Sequence, residues 1–295
     1  MYNSKSLSIF TPEDFLINRE KEKELEMKIE KGMNVAKKSK VVFCGLLRDS
    51  EKNISTLFRK IKLMGKYFYD YKVVIVENDS SDQTRNLLLE KTKNDDRYVI
   101  LGCGINVEKC NLPYPKTEGH SVNYRRIEKM CKLRNIYLDY VKSNLQDFNY
   151  VFVWDMDIYG SIYIDGIFHS LSYFDKNFDI DCICAYGIYH WGLFTLYYDT
   201  YAHIDLNQDF HIKDKLWWDI IHGLKIRYKR GDPLLKVKSC FSGFSIYRLS
   251  SLMKTDATYE MSKDDRLECE HTGLCKYLKN VYMNPSMINL VAKND

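Results

Sequence analysis

Proline is scarce, 5 residues in 295, and nowhere do proline, glycine and serine gather into a linker. Internal repeats and low-complexity tracts are also missing, so one continuous folded body is expected. Charge of one sign is lacking as well. Lys and Arg number 44 against 40 Asp and Glu, a net +4, which leaves no strongly basic face of the kind nucleic acid needs. Nine cysteines are scattered without a CxxC knuckle, which removes a zinc ribbon or finger. No stretch approaches eighteen uninterrupted apolar residues, and MYNSKSLSIFTPEDF has no basic segment leading into an apolar one. A soluble chain with reduced thiols in a cytosol-like compartment is therefore expected, with peripheral membrane contact left open. Finally, CGLLRDSEKN after the first apolar run is not a glycine-rich phosphate loop, and GxxxxGK[ST] is absent. A sugar nucleotidyltransferase and a P-loop enzyme both lose their main feature.

What the chain does have is a sizeable apolar share, 45%, beside 28% charged residues. At the N-terminus, Thr11 followed by Pro12, Glu13 and Asp14 can open a helix that runs through REKEKELEMKIEKG and closes near Gly32. Its few apolar residues, Phe15, Leu16, Leu25 and Ile29, suit an appendage packed on the body, or an arm for a partner. From Lys40 the pattern becomes regular. KVVFCGLL, YKVVIVE and RYVILGCG read as buried strands, separated by helices over SEKNISTLFRKIKLMGKYF and SSDQTRNLLLEKTK. Such alternation predicts right-handed βαβ units and a doubly wound, mostly parallel α/β sheet flanked by helices. A loop from Ile105 to Gly119 leads into a helix, RRIEKMCKLRNIYLDYVKS, and then the strand NYVFVWD. Beyond Gly166 the pattern loosens. Strands are expected at DCICAYGIY, GLFTLYYD and KVKSCFSGFSIY, and a short helix near Glu270. The expected organisation is an appendage over 1–38 and a body over 39–295, whose halves divide at 160.

In NYVFVWDMDIYGS five largely apolar residues run straight into two carboxylates, Asp155 and Asp157. In open α/β sheets ligands sit outside the carboxyl ends of the strands. Two residues apart on extended chain, the pair would project to one side and hold a hard divalent cation, Mg²⁺ or Mn²⁺, with a diphosphate completing the shell. A carboxylate after a strand also caps turns, and that reading stands beside the first. At the end of the second strand, Glu77 and Asn78 can hydrogen-bond a nucleobase edge or ribose hydroxyls, and Ser80 or Ser81 can cap the next helix. The cluster Lys225, Arg227, Lys229 and Arg230 reads as solvated surface or a phosphate contact.

Taken in order, VVFCGLLRDSEKNISTL, VENDSSDQT, LRNIYLDYV, WDMDIYG, YYDTYAH, SCFSGFSIYR and ECEHTGLCKYL with NPS resemble nucleotide-sugar-dependent glycosyltransferases of the GT-A (Rossmann-like) type over Lys40 to Ser286. The later elements are most similar to the capsule-associated, CAP59-like mannosyltransferase branch and related bacterial and viral enzymes. The resemblance implies an irregular acceptor-side second half and a metal-dependent, inverting transfer from a UDP or GDP sugar to a hydroxyl of a glycan or glycoconjugate. It places Glu77, Asn78, Arg48, Arg134 and Asp155 against the nucleotide. Asp155, Asp157 and His271 become the metal ligands, and Glu270 the base. For Arg48 and Arg134 a surface ion pair is the alternative; for Glu270 and His271, stabilisation of a helix end and a structural histidine. Asp199 is the second candidate base, or an acceptor contact. Tyr197, Tyr198, Tyr201, Trp217, Trp218 and Trp191 can stack on acceptor sugars or pack the core. The rival reading is a non-catalytic nucleotide- or carbohydrate-binding protein on the same fold.

Overall fold

The apolar run from Lys40 has no alternation because both of its faces are covered. In the computed structural model, which describes residues 10–11, 17–102, 124–158, 160–175, 179–191, 194–208, 223, 227–262 and 267–291, it forms strand β1 (Lys40–Leu47). The elements before and after it are α1 (Glu22–Ala36), α2 (Glu51–Gly65), β2 (Asp70–Glu77), α3 (Thr84–Thr92), β3 (Tyr98–Gly102), α4 (Tyr124–Asn144) and β4 (Tyr150–Trp154). β1 pairs in parallel with β2 and β4, and β3 adds in parallel to β2. Alternate residues feed two cores. Val42, Cys44, Val74, Val151 and Val153 pack with Ile127, Leu133 and Tyr137 of α4. Val41, Phe43, Val73, Ile75 and Phe152 pack with Ile54, Leu57 and Ile61 of α2. The expected mostly parallel sheet flanked by helices is the fold of the first half.

The second half continues as β5 (Ser161–Ile162), α5 (Ile164–Phe174), β6 (Cys182–Trp191), β7 (Phe194–Tyr197), β8 (Ile204–Asp205), β9 (Leu235–Ser239), β10 (Phe244–Arg248), α6 (Leu249–Lys254), α7 (Glu270–Cys275) and β11 (Val281–Val291). All the described strands join one sheet in the order β3-β2-β1-β4-β10-β6-β11-β9-β8, with β5 on β11 and β7 on β6. β10 runs antiparallel to both β4 and β6, so its first residues lie where β4 ends.

Several expectations need correcting. KVKSCFSGFSIY is two strands, broken where Ser242 and Gly243 take positive φ, +56° and +75°. α3 begins at Thr84 without Ser80 or Ser81 as its cap; Asp82 accepts from the Thr84 N–H instead. α1 runs on to Ala36 past Gly32, which is glycine because a Cβ there would overlap the Phe168 carbonyl of α5. Thr11 donates through Oγ1 and N to Asp165 Oδ1, and the residues from Pro12 to Leu16 lie outside the described set. Arg230 is not solvated surface: it is buried and pairs with Asp165 at 2.7 Å. The thiols are not all reduced either, since Cys184 of β6 is bonded to Cys240, 56 residues away, a separation that carries no spacing signal. Cys44, Cys131, Cys182, Cys269 and Cys275 are free and buried. Among the described residues no helix is long and apolar enough to cross a membrane. The Ile105–Gly119 loop, Trp217, Trp218, Lys225 and the Trp191 side chain lie outside the described set.

Candidate active site

β1, β2 and β4 end together, and each is followed at once by polar residues. After β1 comes Arg48, paired with Asp49 at 3.3 Å, and after β2 come Asn78 and Asp79. Two rim segments are stitched to each other. Asp49 Oδ1 accepts from the Ser81 N–H and hydroxyl, Asp82 Oδ2 from the Glu51 N–H, Glu51 Oε2 from the Gln83 N–H, and Thr84 Oγ1 from the Ser50 N–H. Asp49 and Asp79 hold positive φ, +46° and +51°, a conformation short polar residues tolerate in such turns. Glu77 points inward with no exposure, and its oxygens accept from the Ser80 N–H at 2.7 Å and Arg85 Nε at 2.9 Å. Beside it, Asn78 is 8% exposed and its Oδ1 is buried with no hydrogen-bond partner. A buried acceptor of that kind costs free energy until something donates to it.

The carboxylate couplet lies in a turn, not on extended chain: the Ile158 N–H donates to the Asp155 carbonyl at 3.1 Å. Met156 between them is fully buried, Asp155 is half-buried and Asp157 exposed. The turn is held from two sides. Asp155 donates its N–H to the Gly243 carbonyl, while α2 supplies Asn53 Nδ2 to the Met156 carbonyl and Lys60 Nζ to the Gly160 carbonyl and Ser161 Oγ.

Arg134, on α4 and 3% exposed, lies between two carboxylates, with Nε 3.0 Å from Glu270 Oε1 and NH2 3.1 Å from Asp155 Oδ1. Its guanidinium also sits over the Phe241 and Tyr259 rings. Glu270 opens α7, and Glu268, two residues earlier, is taken by Lys276. His271 is 1% exposed and stacked on Phe241 at 3.6 Å; neither ring nitrogen makes a hydrogen bond. Burial and the nearby Arg134 charge hold it neutral, far below the usual imidazole range. Asp199, at φ +70°, accepts from the Ala202 and Ser242 N–H groups. Burial, and then the Asp155 charge, pushes its carboxyl up to about 8. Burial likewise pushes Asp155 up to about 6, opposed by Arg134 and assisted by Asp157. Negative charge is thus in surplus around one guanidinium.

Asp155, Asp199, Arg134, Glu270 and His271 are brought together; Arg48 and Asn78 stand on the neighbouring strand ends. Among the described residues no three His, Cys, Asp or Glu side chains are grouped to hold a metal ion, so Asp155, Asp157 and His271 are not a preformed shell. Tyr197 is buried and stacked on Tyr186, which makes it core rather than an acceptor platform; Tyr198 and Tyr201 are partly exposed. Sequence reasoning missed Arg85, Asn53, Lys60 and Ser242. Of these only Ser242 had a signal, as the polar residue before Gly243.

The fold is that of the GT-A glycosyltransferases. The model of the family described as Cryptococcal mannosyltransferase 1 matches residues 40–279, and the chain belongs to that family. Among solved structures, GalNAc-T7 with UDP, GalNAc and Mn²⁺ is matched at a TM-score of 0.51 and 10% identity, over 87% of this chain and 44% of that one. TarS 1-349 of S. aureus in complex with UDP-GlcNAc is matched at 0.49 and 16%, over 87% and 59%. The mannosyltransferase PcManGT of Pyrobaculum calidifontis with GDP-Man and Mn²⁺ gives 0.47 and 9%, over 88% and 58%. This chain thus spans less than two thirds of each of those proteins, and the likeness to GalNAc-T7 is one of fold alone. No curated protein matches it.

Proposed function

We propose that the protein transfers a sugar from a nucleoside diphosphate sugar, with UDP or GDP as the leaving group, to a hydroxyl of a glycan or glycoconjugate acceptor, with inversion. The observation that carries this is the clamp of Arg134 between Asp155 and Glu270 at the point where β4 leaves the sheet. The half over 39–160 takes the donor, the half over 161–295 the acceptor, and 1–38 is the appendage. Asn78 Oδ1, buried and unpartnered, offers an acceptor to an imino N–H of the base, which both uracil and guanine possess. Arg48 meets the phosphates; Glu77 keeps Arg85 and the Ser80 turn in place.

Two features favour a divalent cation, Mn²⁺ or Mg²⁺, surplus carboxylate charge and a neutral imidazole whose nitrogens make no hydrogen bond, while the described residues group no three ligands in advance of it. Asp157, Asp155 and His271 would hold it, and when bound it neutralises charge developing on the departing diphosphate. Asp199 takes the acceptor proton: burial raises its proton affinity, and among the described residues its oxygens accept only from backbone N–H groups, which hold it in place. Glu270 keeps Arg134 aimed at Asp155. Tyr198 and Tyr201 border the acceptor. The site of action we propose is cytoplasmic, where the Cys184–Cys240 pair would be kept reduced: both buried thiols should then alkylate in lysate unfolded in urea without added reductant.

Titration of UDP and GDP with and without Mn²⁺, followed by donor turnover, tests the reading. Asp157→Ala should abolish the metal-dependent part of binding, and Asp96→Ala, at a side chain 95% exposed, should leave it intact. Equal loss in both, or in neither, removes the site; binding without any transfer leaves a binding module. Asp199→Asn should lower kcat by about 10²- to 10⁴-fold with UDP affinity kept. That pattern in Glu270→Gln instead returns the base to Glu270.

A further inference from the structure

Asp199 and Ser242 are both non-glycine residues at positive φ, and they are joined by a hydrogen bond from the Ser242 N–H to Asp199 Oδ2 at 3.0 Å. Two left-handed residues in contact are a costly arrangement that persists only where the surroundings over-determine it. What surrounds Ser242 is unusually complete. Its carbonyl accepts from Asn289 Nδ2, its neighbour Cys240 is bonded to Cys184, and the Gly243 carbonyl accepts from the Asp155 N–H. Its hydroxyl donates to Tyr197 Oη at 2.5 Å, with a longer contact to the Tyr198 carbonyl at 3.3 Å.

From Tyr197 the chain of bonds leaves the site. Tyr197 Oη lies 3.4 Å from His203 Nδ1, and His203 Nε2 lies 3.0 Å from Asp205 Oδ1. The direction of each bond follows from the last. An ionised carboxylate only accepts, so the proton on His203 facing Asp205 sits on Nε2, and in the neutral tautomer Nδ1 is then an acceptor. Tyr197 therefore donates to Nδ1, and its oxygen is free to accept from Ser242. Burial raises the Tyr197 phenol far above its ordinary range, so it remains a donor. His203 is 5% exposed at its side chain and Asp205 54%, which makes the network a buried line ending at the surface.

The geometry points to Tyr197 and His203, oriented by Asp205, as positioning residues that fix Ser242 and through its N–H set the carboxylate of Asp199. This rests on the reading of Asp199 as the base. Packing alone does not account for the hydroxyl: Tyr197 stacks on Tyr186 at 5.5 Å and meets His203 edge-on, and a phenylalanine would keep both contacts.

Three variants in the full chain test it: Tyr197→Phe, His203→Leu, and His203→Asn, whose amide oxygen can replace Nδ1 as acceptor. Tyr197→Phe and His203→Leu should each lower kcat at least 10-fold while donor KM and UDP affinity stay within about twofold, and the double variant should be no worse than either. His203→Asn should recover most of that loss. Amide exchange at Ser242, read by NMR without any substrate, should quicken at least 10-fold in Tyr197→Phe and His203→Leu. Unchanged exchange at Ser242, additive losses, or donor affinity falling as far as kcat would overturn the inference. If the wild type transfers no sugar, the functional reading fails, and Ser242 exchange alone decides the relay.

Discussion

Arg134 has its guanidinium divided between Glu270 and Asp155, with aromatic rings on Phe241 and Tyr259 completing its surroundings. Removing one partner of a buried ion pair leaves the others uncompensated and typically costs about 3–5 kcal/mol. Arg134→Met is expected to lose stability on that order in urea unfolding. Arg134→Lys should lose nearly as much, because a single ammonium cannot bridge both carboxylates with the same fork. His169, 1% exposed and beside Asn284, is held down to about 4 by burial and then by the Lys28 charge. Its folded value is below the unfolded one near 6.5, so the stability it contributes is complete above 6.5 and is lost as pH falls toward 4. A difference of that size corresponds to roughly 3 kcal/mol. The unfolding free energy of the wild type should fall over that window, and His169→Gln should flatten the fall. The residues the sequence made legible were those with a strand end to announce them, Arg48, Asn78 and Asp155. Arg85 and Lys60 were not, since a cation in a helix reads as solvated whatever it turns out to touch.

At the scale of elements, α1 is held on α5 by a contact of backbone on backbone. A Cβ at Gly32 would meet the Phe168 carbonyl, which neither helix can move aside cheaply. Gly32→Ala should therefore destabilise by about 1–3 kcal/mol despite its better helix propensity, and limited proteolysis should begin within residues 22–36. The elements that were legible, β1, β2 and β4, are buried on both faces and bounded by turn residues. α5 was not, because every described side chain from Ile164 to Ser172 is buried, which erases the period a helix in contact with water would show. β11 was hidden differently: Pro285 lies in its middle, tolerated where the pairing with β6 shifts register between Met283 and Ile288. The break between β9 and β10 left a single mark, the polar Ser242 before Gly243, since it depends on the backbone conformation of those two residues.

The Cys184–Cys240 bond closes a loop of 56 residues that contains Asp199, His203 and the whole of β9. Chain-entropy reasoning gives such a link about 4 kcal/mol. Reduction under native conditions should lower the unfolding midpoint accordingly, and Cys184→Ser should reproduce the effect. Pairing at that range leaves no mark in a sequence, and neither does sheet order. Parallel βαβ units could be read from the first half, but the insertion of β10 between β4 and β6 could not, because an antiparallel strand arriving from far along the chain is chosen by packing rather than by local pattern.

That insertion has a consequence for how such a molecule can diversify. Where β4 departs, β10 arrives, and Gly243 grips the amide of Asp155 while its neighbour Ser242 grips Asp199. On the proposed function, the stretch that discharges the donor and the stretch that receives the sugar share a single hinge pin. Swapping either loop for a cousin's would tilt the other, so new specificities should emerge from paired exchanges of both segments rather than from one transplanted alone.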